Sequence, residues 1–234
     1  MNKYDAIIIG SGHNGLTTGC YLAKAGKKVL VLEKCGTIGG AVRTETMFKS
    51  GENPNGFRMD VGSSVHIMIH QTGIIEDLEL EKYGLEYIEM DPIMSYPVPT
   101  GKGVIHFFKD LDRTLESISK VAPEDVKNYK EFVEFWGKIN KGVLKIFTTP
   151  PSTKNIFAEM ALNQIKDGAM FKKGEQVSGL QKILSSYGKV VKDSFENPNM
   201  KAALLWFAAQ SGPLPDHSAT GDFVGWQSML HESG

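Results

Sequence analysis

A short apolar run that ends in spaced glycines restricts this chain more than any other feature. Ala6-Ile7-Ile8-Ile9 is continuously apolar and mostly β-branched, so it reads as a strand buried on both faces in a parallel sheet. Gly10-Ser11-Gly12-His13-Asn14-Gly15 follows at once, and from Gly12 to Ala25 the pattern turns helical, with Leu16, Cys20 and Ala23 on one side. Gly26 stands where a helix C-terminus favours a left-handed residue, and Val29-Leu30-Val31-Leu32 supplies a second buried strand. Residues 5 to 34 therefore predict a βαβ unit, with the right-handed crossover such connections adopt.

A lone Gly-x-Gly-x-x-Gly says little, but between a strand and a helix each glycine has a task. Gly10 permits the tight turn, Gly12 lets the backbone approach a pyrophosphate, and Gly15 lets helix and strand pack closely. The unpaired N–H groups of the helix N-terminus, at Ser11, His13 and Asn14, are then placed for a diphosphate. Glu33 ends the second strand 18 residues beyond Gly15, where a carboxylate accepts ribose hydroxyls and repels a 2′-phosphate, and Lys34 follows it. This argues against NADP.

The fingerprint alone serves FAD or NAD equally. Two later clusters favour FAD: Gly39-Gly40-Ala41, and Gly62-Ser63 within Asp60-Val61-Gly62-Ser63-Ser64-Val65-His66. Such loops bring backbone close to something large and flat.

Composition narrows the rest. With 26 basic and 27 acidic residues, the net charge of −1 gives no electrostatic case for nucleic acid or an anionic membrane. Cys20 and Cys35 are the chain's two cysteines, and no partner thiol follows Cys35, so dithiol flavoenzyme chemistry is excluded. The scarcity of cysteine and a start that runs directly into a core strand predict a reducing, cytoplasmic setting. No apolar run approaches the roughly 20 residues of a spanning helix, although an interfacial contact with a membrane would need only an amphipathic one.

Beyond a polar turn-rich loop over residues 49 to 58, a hairpin is predicted from Ile93 to Val98 and from Val104 to Phe108. A long helix is predicted from Pro123, carrying Val126, Tyr129, Phe132, Val133, Trp136, Ile139 and Val143 at helical spacing. That stripe suits either core packing or the wall of an apolar tunnel. Residues 149 to 153 break the helix, more helix follows to Ala209, and Gly212-Pro213-Leu214-Pro215 ends it. The apolar stretch with Phe223, Val224 and Trp226 has nothing after it to pack against, so the chain reads as cut short. His66 and His70, four apart, lack the third ligand a metal would need, and no metal site is predicted.

Gly10 to Leu16, Gly26 to Lys34, Ile38-Gly39-Gly40-Ala41 and Phe57-x-x-Asp60-x-Gly62-Ser63 together resemble the phytoene desaturase-related flavoproteins. Within these the chain is most similar to the cyanobacterial β-carotene ketolase type and the pyridine nucleotide-disulphide oxidoreductase domain 2 proteins. The resemblance implies an α/β fold with a Rossmann-like FAD/NAD(P)-binding domain over 1–90 and an incomplete mixed α/β substrate domain over 91–234. It implies FAD held by Gly10, Ser11, Gly12, His13, Asn14, Gly15, Glu33 and Lys34, with Gly39, Gly40, Ala41, Gly62 and Ser63 running past the flavin.

The resemblance further implies desaturation, ketolation or isomerisation of a hydrophobic carotenoid-like substrate. No catalytic side chain is singled out. Related amine oxidases carry an arginine directly after the glycine pair, where this chain has Ala41 and only Arg43 nearby. Relatives are about twice as long, which points to an N-terminal part completed by a further C-terminal chain. A nicotinamide-dependent dehydrogenase, a binding module of the GDP dissociation inhibitor kind and an inactive fragment remain as alternatives.

Overall fold

The computed structural model describes residues 3–63, 66, 68–101, 103–147, 150, 152, 154 and 181–233. The chain divides into two compact units, Met1–Glu86 and Tyr87–Gly234.

In the first unit, strand β1 (Ala6–Ile9) pairs in parallel with β2 (Val29–Leu32), Ala6 opposite Val29 and Ile9 opposite Leu32. Helix α1 (His13–Lys24) crosses between them and ends before Gly26, whose φ of 79° is the left-handed value expected there. Two expectations need correction. The side of α1 against the sheet is Gly15 and the buried Gly19, a Cβ on which would lie 3.2 Å from Ile8 Cδ1, while Cys20 and Ala23 are exposed. Glycines at that contact let helix and sheet approach more closely than Cys20 or Ala23 would.

The strands are also not buried on both faces. Ile7 is 60% exposed, Ile9 88% and Leu32 48%. A parallel sheet is buried only where both faces carry a layer, and α1 covers one. An antiparallel hairpin follows, with β3 (Thr44–Met47) on β4 (Phe57–Asp60), Thr44 facing Asp60 and Met47 facing Phe57. The short helix α2 (Ile74–Asp77) is tied to α1 by the Tyr21 hydroxyl, which donates to Asp77 Oδ2 at 2.7 Å, and by the Lys24 ammonium on the Asp77 carbonyl.

The second unit mixes strand and helix. The predicted hairpin forms as β5 (Met94–Pro97) antiparallel to β6 (Val104–Phe107). Helix α3 (Leu111–Ser119), which the sequence reading missed, is capped by Asp110, whose carboxylate accepts the Arg113 N–H at 3.0 Å. A 3-10 turn over Pro123–Asp125 then leads into α4 (Val126–Phe147). Asp125 is buried, and its carboxylate accepts the N–H groups of Glu196 and Asn197, each at 2.8 Å. This fixes the start of α4 to the link between α5 (Tyr187–Ser194) and α6 (Pro198–Ala209).

The aromatic stripe is core. Tyr129, Phe132, Val133, Trp136 and Ile139 are buried among Phe107, Tyr187, Met200, Leu204 and Val224. The Val143 side chain, most of the predicted break at 149 to 153 and most of the predicted helix before residue 181 lie outside what is described. The stretch around Phe223 does find packing, contrary to expectation. Helix α7 (Gly221–Gly225) lays Gly225 against the Trp136 indole, with no room for a Cβ, and Asn140 Nδ2 donates to the Gly225 carbonyl and Ser228 Oγ, each at 2.8 Å. The contact spans 85 residues of sequence, so no local pattern announced it. Among the described residues no helix is long and apolar enough to cross a membrane.

Candidate functional site

The chain leaves β1 through Gly10, whose φ of 97° turns it sharply, and a Cβ on Gly15 would collide with the Gly10 carbonyl. Gly12 is the N-cap of α1 and offers no side chain to the first-turn N–H groups. The first turn carries no acidic residue either, and His13 and Asn14 are exposed on it. An anion placed there would meet unpaired donors and the positive end of the helix dipole.

Ser11 sits beneath this turn, 1% exposed. Its N–H and its hydroxyl both donate to Glu33 Oε2, at 2.7 and 2.6 Å, while Glu33 Oε1 accepts the Cys35 N–H at 2.8 Å. These donors hold the Glu33 carboxyl at a pKa of about 2, the Cys35 N–H contributing most and the Ser11 hydroxyl next. Glu33 is therefore a fixed anion at neutral pH. Lys34 follows it, exposed.

The second glycine cluster comes to the first. Gly39 donates its N–H to the Ser11 carbonyl at 2.9 Å and forms a bridge with Gly12, with a φ of 114°. A Cβ on Gly40 would stand 2.8 Å from Gly12 Cα, a clash with backbone that cannot yield. The third cluster meets the second, since a Cβ on Gly62 would lie 2.8 Å from the Ala41 carbonyl oxygen. Ser63 is half-buried, its carbonyl 3.1 Å from His66 Nε2. Thus Gly10, Ser11, Gly12, Glu33, Gly39, Gly40, Ala41 and Gly62 form one continuous backbone-lined edge. Arg43 turns to Glu45 as an ion pair. The sequence reading did not foresee the Cys35 and Gly39 N–H donors, because backbone donors leave no mark in residue identity.

Together, the uncapped helix start, the fixed anion at the end of β2 and glycine contacts too tight for a Cβ suit a dinucleotide. Fold and site define a dinucleotide-binding domain of Rossmann type, and residues 8–78 match the NAD(P)-binding Rossmann-like domain family. One of the subunits of limonene dehydrogenase from Castellaniella defragrans is 32% identical over 219 residues, 92% of this chain and 36% of that protein. Pyridine nucleotide-disulfide oxidoreductase domain-containing protein 2 of Mus musculus is 25% identical, over 98% of this chain and 40% of its own length. All-trans-retinol 13,14-reductase of Danio rerio is 24% identical, over 92% and 34%.

Along most of its length the chain is thus similar to named oxidoreductases, in keeping with the group its motifs resemble. A solved putrescine oxidase, redesigned in its cofactor binding, superposes with a TM-score of 0.50 at 16% identity, covering 96% of this chain and 43% of that one. That likeness bears on the fold alone. The chain spans between 34% and 40% of the length of these three relatives.

Proposed function

We propose that this chain binds FAD and serves an oxidoreductase that acts on a hydrophobic, carotenoid-like molecule by desaturation, ketolation or isomerisation. The observation that carries this reading is the convergence of three glycine clusters and Glu33 on the uncapped start of α1. Gly10 to Gly15 would hold the diphosphate against the first-turn N–H groups, with His13 and Asn14 contributing backbone donors, while the Ser11 N–H is taken by Glu33 and lies beneath the turn. Glu33, beside Lys34, would accept the adenosine ribose hydroxyls, and its fixed negative charge opposes a 2′-phosphate. Gly39, Gly40, Ala41, Gly62 and Ser63 would run along the flavin half.

When bound, FAD supplies a hydride acceptor, while the protein orients it and keeps water out. The substrate class is supported by the relatives' names, since limonene and retinol are both apolar. The pairing register of β1 and β2 sets Ile7 beside Leu30 and Ile9 beside Leu32, so these four side chains share one face. The exposure of that face favours a completing polypeptide that covers it.

The test is the absorbance of the purified chain equilibrated with FAD, beside Glu33→Ala. Flavin bands retained at near one per chain, and lost in the variant, are the expected result. Folded protein that retains no flavin in either form would sink FAD binding by this chain alone.

A further inference from the structure

Position 11 is free in a Gly-x-Gly-x-x-Gly pattern, yet here it holds one of the most enclosed polar groups in the first unit. Ser11 is 1% exposed, and all its polar groups are engaged: N–H and hydroxyl on Glu33 Oε2, carbonyl on the Gly39 N–H. A carboxylate has about four acceptor positions, two on each oxygen. Ser11 places two donors on Oε2 and the Cys35 N–H one on Oε1, with the Lys34 N–H also acting on the carboxylate, so the group is held from the protein side at the end of β2 while its side chain stays exposed. Glu33 is otherwise an exposed side chain with several rotatable bonds, and ordering it only when ligand arrives would weaken binding.

We propose that the Ser11 hydroxyl is a positioning group that holds the Glu33 carboxylate in place, so that the carboxylate meets the ribose of an adenine nucleotide already oriented. The inference rests on the nucleotide reading of the site given above. An alanine at position 11 keeps the N–H donor and removes only the hydroxyl, so the hydroxyl's share can be isolated. The low titration range of Glu33 agrees with the geometry, the Ser11 hydroxyl being its second-largest cause.

The experiment is calorimetric titration with ADP of the unmutated chain, Ser11→Ala, Glu33→Ala and the double variant, together with carbon-detected NMR titration of the Glu33 carboxyl. Ser11→Ala should weaken ADP binding about tenfold, the lower end of what one hydrogen bond to a charged group contributes. The double variant should bind no more weakly than Glu33→Ala, because Ser11 acts through Glu33. The Glu33 midpoint should lie near 2 in the unmutated chain and rise in Ser11→Ala.

Unchanged ADP affinity in Ser11→Ala, or a further loss when it is added to Glu33→Ala, would overturn the positioning role while leaving the nucleotide site intact. A midpoint at the ordinary 4.5 in the unmutated chain would overturn it without any variant. Equal ADP binding by the unmutated chain and Glu33→Ala would overturn the nucleotide reading itself, and this inference with it.

Discussion

The two units are held together in opposite ways. Every buried apolar side chain among the described residues, from Val98 to Leu230, belongs to the second unit, whereas the buried residues of the first are Ser11, Gly19 and Gly39. The second unit is stabilised by removing apolar surface from water; the first relies on backbone ladders, glycine contacts and the Ser11–Glu33 hydrogen bonds. A cofactor site needs backbone to come close to a ligand, and glycines that allow it contribute no apolar area of their own. The unit that is built to bind is thereby the one with least core.

The largest effect should come from Trp136→Ala. It empties the centre of the second unit, including the face against Gly225, and should cost about 3 to 5 kcal/mol in urea unfolding. A cost below about 1 kcal/mol would erase the contrast. Acid should also separate the units. Burial holds His231 below its ordinary pKa, where it lies beside the Tyr129 hydroxyl, 2.9 Å away, and the Lys109 carbonyl. The unfolded chain therefore takes up that proton more readily, so this stabilisation is complete above the ordinary 6.5 and is lost as pH falls below it.

In the first unit, Glu33 is shifted in the same direction from a different cause, hydrogen bonding to its charged form rather than burial. Its pKa is depressed, so its contribution is present above the ordinary 4.5 and lost only as pH falls through about 2. Melting curves between about pH 7 and pH 5 should then drop by a few degrees for the second unit, and His231→Gln should remove the drop. The smallest effect should be Ile9→Ser. With Ile9 88% exposed, the change should stay within about 0.5 kcal/mol for this chain alone, as a surface substitution does. A loss of several kcal/mol in the same measurement would mean that the open face is already covered in solution.

The βαβ unit was legible because it is written locally: β-branched runs for β1 and β2, and Gly26 at the helix end. Strand β3 was not, since Thr44-Glu45-Thr46-Met47 has no alternating apolar pattern and pairs across a nine-residue connection. Helix α3 did carry a signal, Asp110 as cap with Leu111, Leu115 and Ile118 at helical spacing, which the reading passed over. At the site, the glycines and Glu33 could be named from spacing. Their convergence through Gly39 and Ala41 could not, because it depends on backbone contacts made after the chain has turned.

The distribution of large side chains also equips the protein with its own optical label. Trp136, Trp206 and Trp226 all lie in the second unit, and residues 1–86 contain no tryptophan. Ultraviolet emission excited at the indole band therefore reports the second unit alone, with Trp136 as a dry emitter and Trp206, 55% exposed, as a wet one. The first unit is dark at that wavelength. A bound flavin would give it a colour of its own, and quenching of indole light by that colour would then measure how the two halves lie in solution.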